Sequence, residues 1–367
     1  MLSFSYFKKL KLVELLSLLV LTASFFSSYI GTTILGYVFI IPVLMLKYKD
    51  LKFNVIQTFA IIFTILYFLF VSFYADDFII ITKNFRFWLG VILFIIYYKA
   101  YYDTKITTMP FFRIVVFSVF IETLIINTII PAPIFYNDHP HATLFVFYYR
   151  PLSFGANASM SSVALVCLYY LASKYGSQTP TKKDKILLLL ATLLFFSGTG
   201  LAAYLLLILL KNVFEKNVNS RRNLIIITTS LFFFLFLILV MANLDFDAVQ
   251  KFSLQYYFLL YDFKIDQINE LLNFDTTSNF LLGNQLTDIF ENTTGDFGWL
   301  GFLSAMGVLG IILYFFILMA FHKGNLFLNP IIFILLIGTF HYPAAMSGAG
   351  QMIMAFLLTQ SYNKNHA

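Results

Sequence analysis

The stretch KILLLLATLLFFSGTGLAAYLLLILLK, residues 185–211, decides how this chain is arranged in space. It is largely apolar between two lysines, but the sequence SGTG at 197–200 interrupts it, and such a sequence favours a break in a helix. One straight helix would carry the chain across a bilayer, whereas two short helices would return it to the side it came from. Every element after residue 211 therefore changes sides between the two arrangements.

The composition requires a membrane. Hydrophobic residues make up 60% of the 367 residues and charged residues only 11%, whereas soluble proteins carry about 25% charged residues. The mean hydropathy is +0.84, and several apolar runs approach the ~20 residues that cross a bilayer core. These runs lie at about 12–29, 31–46, 54–74, 87–98, 112–131, 158–173, 186–210, 223–242, 298–321, 331–341 and 351–360. The sequence predicts an all-α polytopic membrane protein with one membrane domain over 1–367.

The distribution of positive charge selects between the two arrangements. With a short helical hairpin at 186–210, the 24 Lys and Arg residues divide into 19 inside and 5 outside, whereas a straight helix gives 15 and 9. Because cytoplasmic loops are enriched in Lys and Arg, the hairpin is favoured, with about 12 membrane helices and both termini in the cytoplasm. The basic residues form short clusters between apolar runs, so they indicate orientation in the membrane and not nucleic-acid binding.

One large external loop, 243–297, follows from this topology. It is rich in Asp and Glu, and residues 251–272 place apolar side chains on one face at helical spacing. The sequence predicts an amphipathic helix at about 251–272 that lies on the membrane surface or caps the bundle.

Two basic residues at the predicted outer surface are candidates for binding an anion. Arg150 precedes the sixth apolar run, and a guanidinium there can hold a phosphate or pyrophosphate in a bidentate manner. Lys264 lies on the predicted amphipathic helix, where it can face a lipid-linked anion. Both residues also fit a simpler role, in which an interfacial cation reaches the lipid headgroups.

Two further residues are candidates for moving a proton. Asp296 lies where the loop re-enters the membrane and suits a general base, although an N-cap for the following helix explains it as well. His341 precedes Pro343 near the outer surface and can titrate near neutral pH, or it is a packed, hydrogen-bonded histidine. Within an apolar run, Glu122 is either functional or part of a helix-to-helix hydrogen bond.

Short motifs taken in order resemble the Wzy-type polysaccharide polymerase family and, more distantly, the O-antigen ligases. The sequence RPLSFGAN at 150–157 is similar to the arginine-glycine stretch that opens a membrane helix in that family. The serine-rich turn of the family resembles LFFSGTGLAAYLLL at 194–207, which adds Ser197 and Thr199, with Glu122, as a possible substrate groove. The remaining similarities are KIDQINELL followed by FLLGN within 264–284, DFGWLGFLSAMGVLG at 296–310 and HYPAAMSG at 341–348.

The resemblance implies an inverting glycosyl transfer, with no metal and no cofactor, at the outer face of the bacterial cytoplasmic membrane. A growing glycan would pass from undecaprenyl pyrophosphate to an incoming lipid-linked repeat unit. Arg150 and Lys264 would bind the pyrophosphate, and Asp296, or else His341, would be the base. Membrane lipids and a chain-length regulator protein are the further partners implied, in the synthesis of lipopolysaccharide or capsule.

Two departures from the family pattern stand out. The turn at 197–200 lacks the arginine that members often carry there, and Lys264 stands where arginine is common. An O-antigen ligase is the first alternative, although Asp296 stands where ligases tend to have histidine. A polysaccharide flippase or other transporter is the second, and Glu122 and Glu14, both within apolar runs, are the residues that favour it.

Overall fold

The structure, a computed structural model, consists mainly of helices in the residues that it describes. Three of these helices have, by length and composition alone, what is needed to cross a membrane: Val55–Phe73, Met109–Thr128 and Gly298–Phe321. The structure describes residues 45, 53–74, 92, 96, 108–129, 143–145, 148–151, 153, 157–175, 179–214, 265–283, 297–322, 330–340, 344–346, 350–355 and 358. The described α-helices are α1 Val55–Tyr74, α2 Thr108–Leu124, α3 Ala158–Tyr175, α4 Lys182–Leu194, α5 Gly198–Phe214, α6 Thr277–Leu282, α7 Gly298–Phe321 and α8 Pro330–Gly338. The predicted all-helical membrane architecture is confirmed at this level.

Two short strands interrupt the helical pattern. A π-helix at Ile125–Ile129 continues α2 directly, and the strands β1 (Thr143–Phe145) and β2 (Tyr148–Tyr149) follow it. The strands pair antiparallel, and β2 lies against the π-helix. This ribbon leads the chain to Arg150.

The surface of α1 has the character of a lipid-facing helix. Phe59, Leu66 and Phe73 expose 51%, 53% and 85% of their surface. In water such a helix would lose the stabilisation that apolar burial provides. In hydrocarbon it is at no disadvantage, because every backbone hydrogen bond of a helix is made within the helix.

The central helix of the bundle is α3. Every residue from 158 to 172 is buried, and α2, α4, α5 and α8 all pack against it. Small residues such as Ala164 and Ala172 allow the neighbouring helices to approach α3 closely. Cys167 is fully buried within this helix, as expected for a packing residue.

The run at 186–210 is broken as predicted, but the break lies at 195–197, and residues 198–200 of the predicted turn form the start of α5. α4 ends at Leu194 and α5 begins at Gly198. Between them Phe196 has a φ of 42°, in the left-handed region that commonly ends a helix. Ser197 then caps α5, because its Oγ accepts a hydrogen bond from the backbone N–H of Gly200 at 3.2 Å.

The two helices run in opposite directions along α3. Ser197, at the end of α4, contacts Ser159 in the first turn of α3, with 2.9 Å between the two Oγ atoms. Nearer the other end of α3, the ring of Tyr169 meets that of Phe112 in α2 with 5.2 Å between centroids, and the neighbouring Arg113 bonds to Asp184. Asp184 opens α4, so α4 runs antiparallel to α3. α5 begins beside the first turn of α3 and packs along it, so α5 runs parallel to α3. The chain therefore turns back at 195–197.

An ion pair attaches the first turn of α4 to α2. Asp184 accepts hydrogen bonds from Nε of Arg113 at 2.9 Å and from Nη2 at 3.1 Å, so the pair is bidentate. Asp184 also completes a capping box with Thr181. The hydrogen bond from Arg113 lowers the pKa of Asp184 to about 2. The carboxylate therefore stays ionised at any physiological pH, and α4 remains attached to the start of α2.

α7 does not run straight. The ring of Trp299 stacks on that of Phe315 with 5.5 Å between centroids, whereas a straight helix would separate these residues by about 24 Å along its axis. Phe302 and Tyr314 also meet, at 5.7 Å. The bend is at Gly307, whose φ of 64° and ψ of −177° are not helical. The arms 298–306 and 308–321 therefore fold against each other.

Part of the predicted external loop docks at this bend. Gly283, which ends α6, approaches the backbone of Ala305 and Met306 so closely that a Cβ would overlap it. Tyr67 of α1 donates a hydrogen bond to the carbonyl of Met306 at 2.6 Å and lies 3.4 Å from that of Leu282. Three segments distant in sequence therefore meet at the bend.

The second arm of α7 runs antiparallel to α1. Phe53, just before α1, meets Phe321 at the end of α7 with 6.3 Å between ring centroids, while Tyr67 bonds to Met306 near the bend. Residues 53 and 321 therefore lie at the same end of the bundle. The total of about 12 membrane helices remains a prediction, since several of the apolar runs lie outside the described residues.

The predicted amphipathic helix is described only from residue 265. Residues 265–271 are helical. Gln267 and Leu271 are buried one turn apart, and Asp266 and Glu270 face outward. This short segment has one buried face, but 251–264 lies outside the described residues, so the amphipathic helix at about 251–272 remains a prediction.

Candidate anion-binding site at the start of the central helix

Arg150 lies on the segment that leads into α3. It directly follows β2 and is half-buried, and Pro151 after it is buried. Asn157 caps α3, because its Oδ1 accepts a hydrogen bond from the backbone N–H of Ser159 at 2.7 Å. The guanidinium is therefore carried by a short segment between a ribbon and a capped helix, at the end of α3 where the helix dipole is positive.

Glu122 holds this segment in place. Its side chain lies in the last turn of α2 and is only 7% exposed. Its Oε1 accepts a hydrogen bond from the backbone N–H of Ser153 at 3.1 Å. Ser153 is fully buried and has a φ of 54°, a left-handed conformation that costs a residue with a side chain roughly 1–2 kcal/mol. The hydrogen bond that the Ser153 N–H donates to the Glu122 carboxylate offsets part of that cost.

The serine turn predicted as a groove packs against the same end of α3. Ser197 is 6% exposed, and its hydroxyl bonds to Ser159 and to the N–H of Gly200. Gly200 lies so close to Ser162 that a Cβ would overlap the serine side chain. Thr199 is half-buried in the first turn of α5. The role visible for Ser197 is structural, as a cap and as a contact between helices.

The end of α8 reaches this region as well. The Cα of Gly338 faces Val163 of α3, since a Cβ added there would lie 3.1 Å from the valine side chain. Thr339 follows, and its Oγ1 accepts a hydrogen bond from the backbone N–H of Ala345 at 2.9 Å. Asn157, Ser197 and Gly338 thus all lie against the first turns of α3.

The structure brings only some of the predicted site residues together. Arg150 and Glu122 meet through Ser153, and Ser197 and Thr199 lie at the neighbouring turn. The other candidates, Lys264, Asp296 and His341, lie outside the described residues. Their places in the site therefore remain predictions.

Sequence reasoning overlooked two residues of this region. Ser153 was part of the quoted RPLSFGAN motif, but its role depends on a positive φ that no pattern encodes. Ser159 follows the cap of α3, and its contact with Ser197 joins residues 38 positions apart. Such a contact has no local sequence signal.

This arrangement can bind an anion. Arg150 is always charged, and its guanidinium offers five donors in a plane that matches phosphate oxygens. A fixed cation near a helix N-terminus in a bundle of low polarity acts more strongly on charge than it would in water.

Comparison with protein-family models found no match, and neither curated proteins nor solved structures gave one.

Proposed function

We propose that this protein is a membrane glycosyltransferase that polymerises lipid-linked oligosaccharide repeat units. The observation that carries the proposal is Arg150, held at the start of the buried central helix by a turn that Glu122 fixes. A carboxylate is costly to bury in a membrane domain, and here it secures the segment that bears a cation. The ordered motifs that resemble the Wzy-type polymerases supply the reaction class.

The proposed reaction moves the glycan from one lipid to another. A hydroxyl oxygen of the incoming repeat unit attacks the anomeric carbon of the growing chain and inverts it. The bond between that carbon and the pyrophosphate oxygen breaks, and undecaprenyl pyrophosphate leaves with the electron pair. The hydroxyl proton passes to a base, for which Asp296 is the first candidate and His341 the second.

The role proposed for Arg150 is to stabilise the leaving pyrophosphate. Negative charge grows on the bridging oxygen as the glycosidic bond breaks, and a cation already in place stabilises that charge without reorganisation. Lys264 is proposed as a second cation. We place the reaction at the outer face of a bacterial cytoplasmic membrane, in a chain of about 12 membrane helices with both termini inside.

Two other functions remain as alternatives. An O-antigen ligase would use the same donor and transfer the glycan to a lipid A core, so Arg150 would serve it equally. A transporter would use a membrane carboxylate such as Glu122 to carry charge or protons. The hydrogen bond from the Ser153 backbone to Glu122 favours a fixed role for that carboxylate over a mobile one.

The proposal is tested by the glycan pattern of a deletion strain rescued with variants. We expect Arg150→Ala to leave single repeat units on the cell surface, because losing the cation should slow polymerisation roughly 100- to 1,000-fold. Arg150→Lys should restore part of the chain length, since a point charge replaces the planar fork. Arg86→Ala, which removes another arginine that the charge distribution predicts on the outside, is the matched control.

Two results would count against the proposal. Normal chain lengths with Arg150→Ala, at wild-type protein levels, would remove Arg150 from the mechanism. Loss of all surface glycan in the deletion strain, with lipid-linked repeats retained inside, would favour the transporter.

A further inference from the structure

We propose that Glu122 is a positioning residue that sets the place of Arg150 through the backbone of Ser153. The inference rests on the proposed function for its meaning, because it assigns Glu122 to the pyrophosphate site. Glu122 itself contacts no substrate in this scheme. It acts on the turn that carries the cation.

Only two residues lie between Arg150 and the bonded Ser153 along the chain. Ser153 donates its N–H to the carboxylate, and Arg150 lies three residues earlier. Pro151, between them, is buried and has its φ fixed by the ring. We therefore expect a change at the Ser153 N–H to move Arg150, because only two residues, one of them a proline, separate the two.

The strand that precedes Arg150 lies against the helix that bears Glu122. β2 ends at Tyr149, directly before Arg150, and lies against the π-helix Ile125–Ile129. That π-helix continues α2 from the turn that bears Glu122. Arg150 is thus held on both sides by one continuous helix. π-helical turns of this kind are frequent at functional sites.

The conformation of Ser153 makes the hydrogen bond necessary. A φ of 54° is unfavourable for serine, so the turn needs an interaction that selects it. A carboxylate that accepts a backbone N–H makes a strong, charge-assisted bond. Because Ser153 is fully buried, bulk water does not reach it to replace that acceptor.

A cysteine introduced in place of Arg150 reports on this geometry without any need for activity. The Arg150→Cys protein is purified in nanodiscs, and the rate at which a polar maleimide labels the introduced thiol is measured. The native thiol, Cys167, is fully buried and should give little background. Ser278→Cys, at an exposed position on α6, is the control for general changes in reagent access.

Three variants at the turn, each made in the Arg150→Cys parent, separate the outcomes. Glu122→Met keeps the volume without a strong acceptor, and it should change the labelling rate of the introduced thiol at least fivefold. Glu122→Gln retains an acceptor oxygen and should stay within twofold of the parent. When Glu122→Met is combined with Ser153→Gly, the rate should return towards the parent value, because glycine adopts a positive φ without cost.

The outcomes distinguish a failure of the positioning role from a failure of the proposed function. Equal labelling rates in the parent and Glu122→Met would overturn the positioning role. So would a change that Ser153→Gly fails to reverse, or one that Ser278→Cys shares, since either would indicate general loosening. If Arg150→Ala leaves glycan chains normal while the labelling pattern holds, the proposed function fails and the positioning role stands.

Discussion

Replacing Gly307 by alanine should destabilise the protein by about 2–6 kcal/mol. The φ of 64° and ψ of −177° fall in a region open almost only to glycine, so a side chain there is strained by ~1–3 kcal/mol. A Cβ would also overlap the carbonyl of Leu281 and approach the backbone nitrogen of Gly283. Backbone atoms cannot move aside as a side-chain end can, so overpacking adds a further ~1–3 kcal/mol.

The measurement is the unfolding midpoint of the purified protein in detergent, followed by heating or by denaturant. Gly198→Ala is the matched control, because Gly198 lies at the start of α5 with no described atom within 4 Å of an added Cβ. It should unfold within ~0.5 kcal/mol of the wild type. Equal midpoints for Gly307→Ala and Gly198→Ala would contradict the bend and the docking of α6 against it.

Gly200→Ala should destabilise the turn between α4 and α5 by about 1–3 kcal/mol through overpacking. The added Cβ would overlap both Oγ and Cβ of Ser162. Ser162 belongs to the fully buried stretch of α3 and bonds to the carbonyl of Ser159 at 2.9 Å, so it has no space to move into. The two helices would have to separate, and the contact of Ser197 with Ser159 would be lost.

A compensating change makes this prediction specific. Ser162→Gly removes both atoms that the new methyl group meets, so the double variant should be more stable than the sum of the two single effects predicts. The coupling, measured from unfolding free energies in a double-mutant cycle, should exceed ~0.5 kcal/mol. Additive effects would show that α5 does not approach α3 at this point.

The turn at 195–197 was predictable because its signals are local. A serine and two glycines interrupt a long apolar run, and the charges on either side favour a return to the same face. The structure adds what the sequence does not contain, namely that Ser197 caps α5 and bonds to α3.

The bend in α7 was not predictable by the same means. Its apolar residues are continuous from one arm to the other, and its several glycines look alike in sequence. Gly307 is selected because the backbone of α6, far away in the chain, fills the space beside it. A tertiary contact of that kind overrides the helical pattern, so hydropathy gives one span where the structure has two arms.

The candidate site was predicted in part for a similar reason. Arg150 and Glu122 are visible in the sequence because charged residues are conspicuous among apolar ones. Their connection through the backbone of Ser153 depends on a single left-handed residue, and neither propensity nor charge indicates it. The sequence therefore identified two of the groups, and the fold supplied the link between them.

The most direct test of the polymerase proposal uses purified protein in nanodiscs with defined undecaprenyl-pyrophosphate-linked repeat units. The products are separated by length, and the released undecaprenyl pyrophosphate is measured. The proposal predicts glycans of two or more repeat units, one undecaprenyl pyrophosphate released for each bond formed, and loss of both products with Arg150→Ala. Repeat units that remain single with the wild-type protein, while it is folded and binds them, would contradict the proposal.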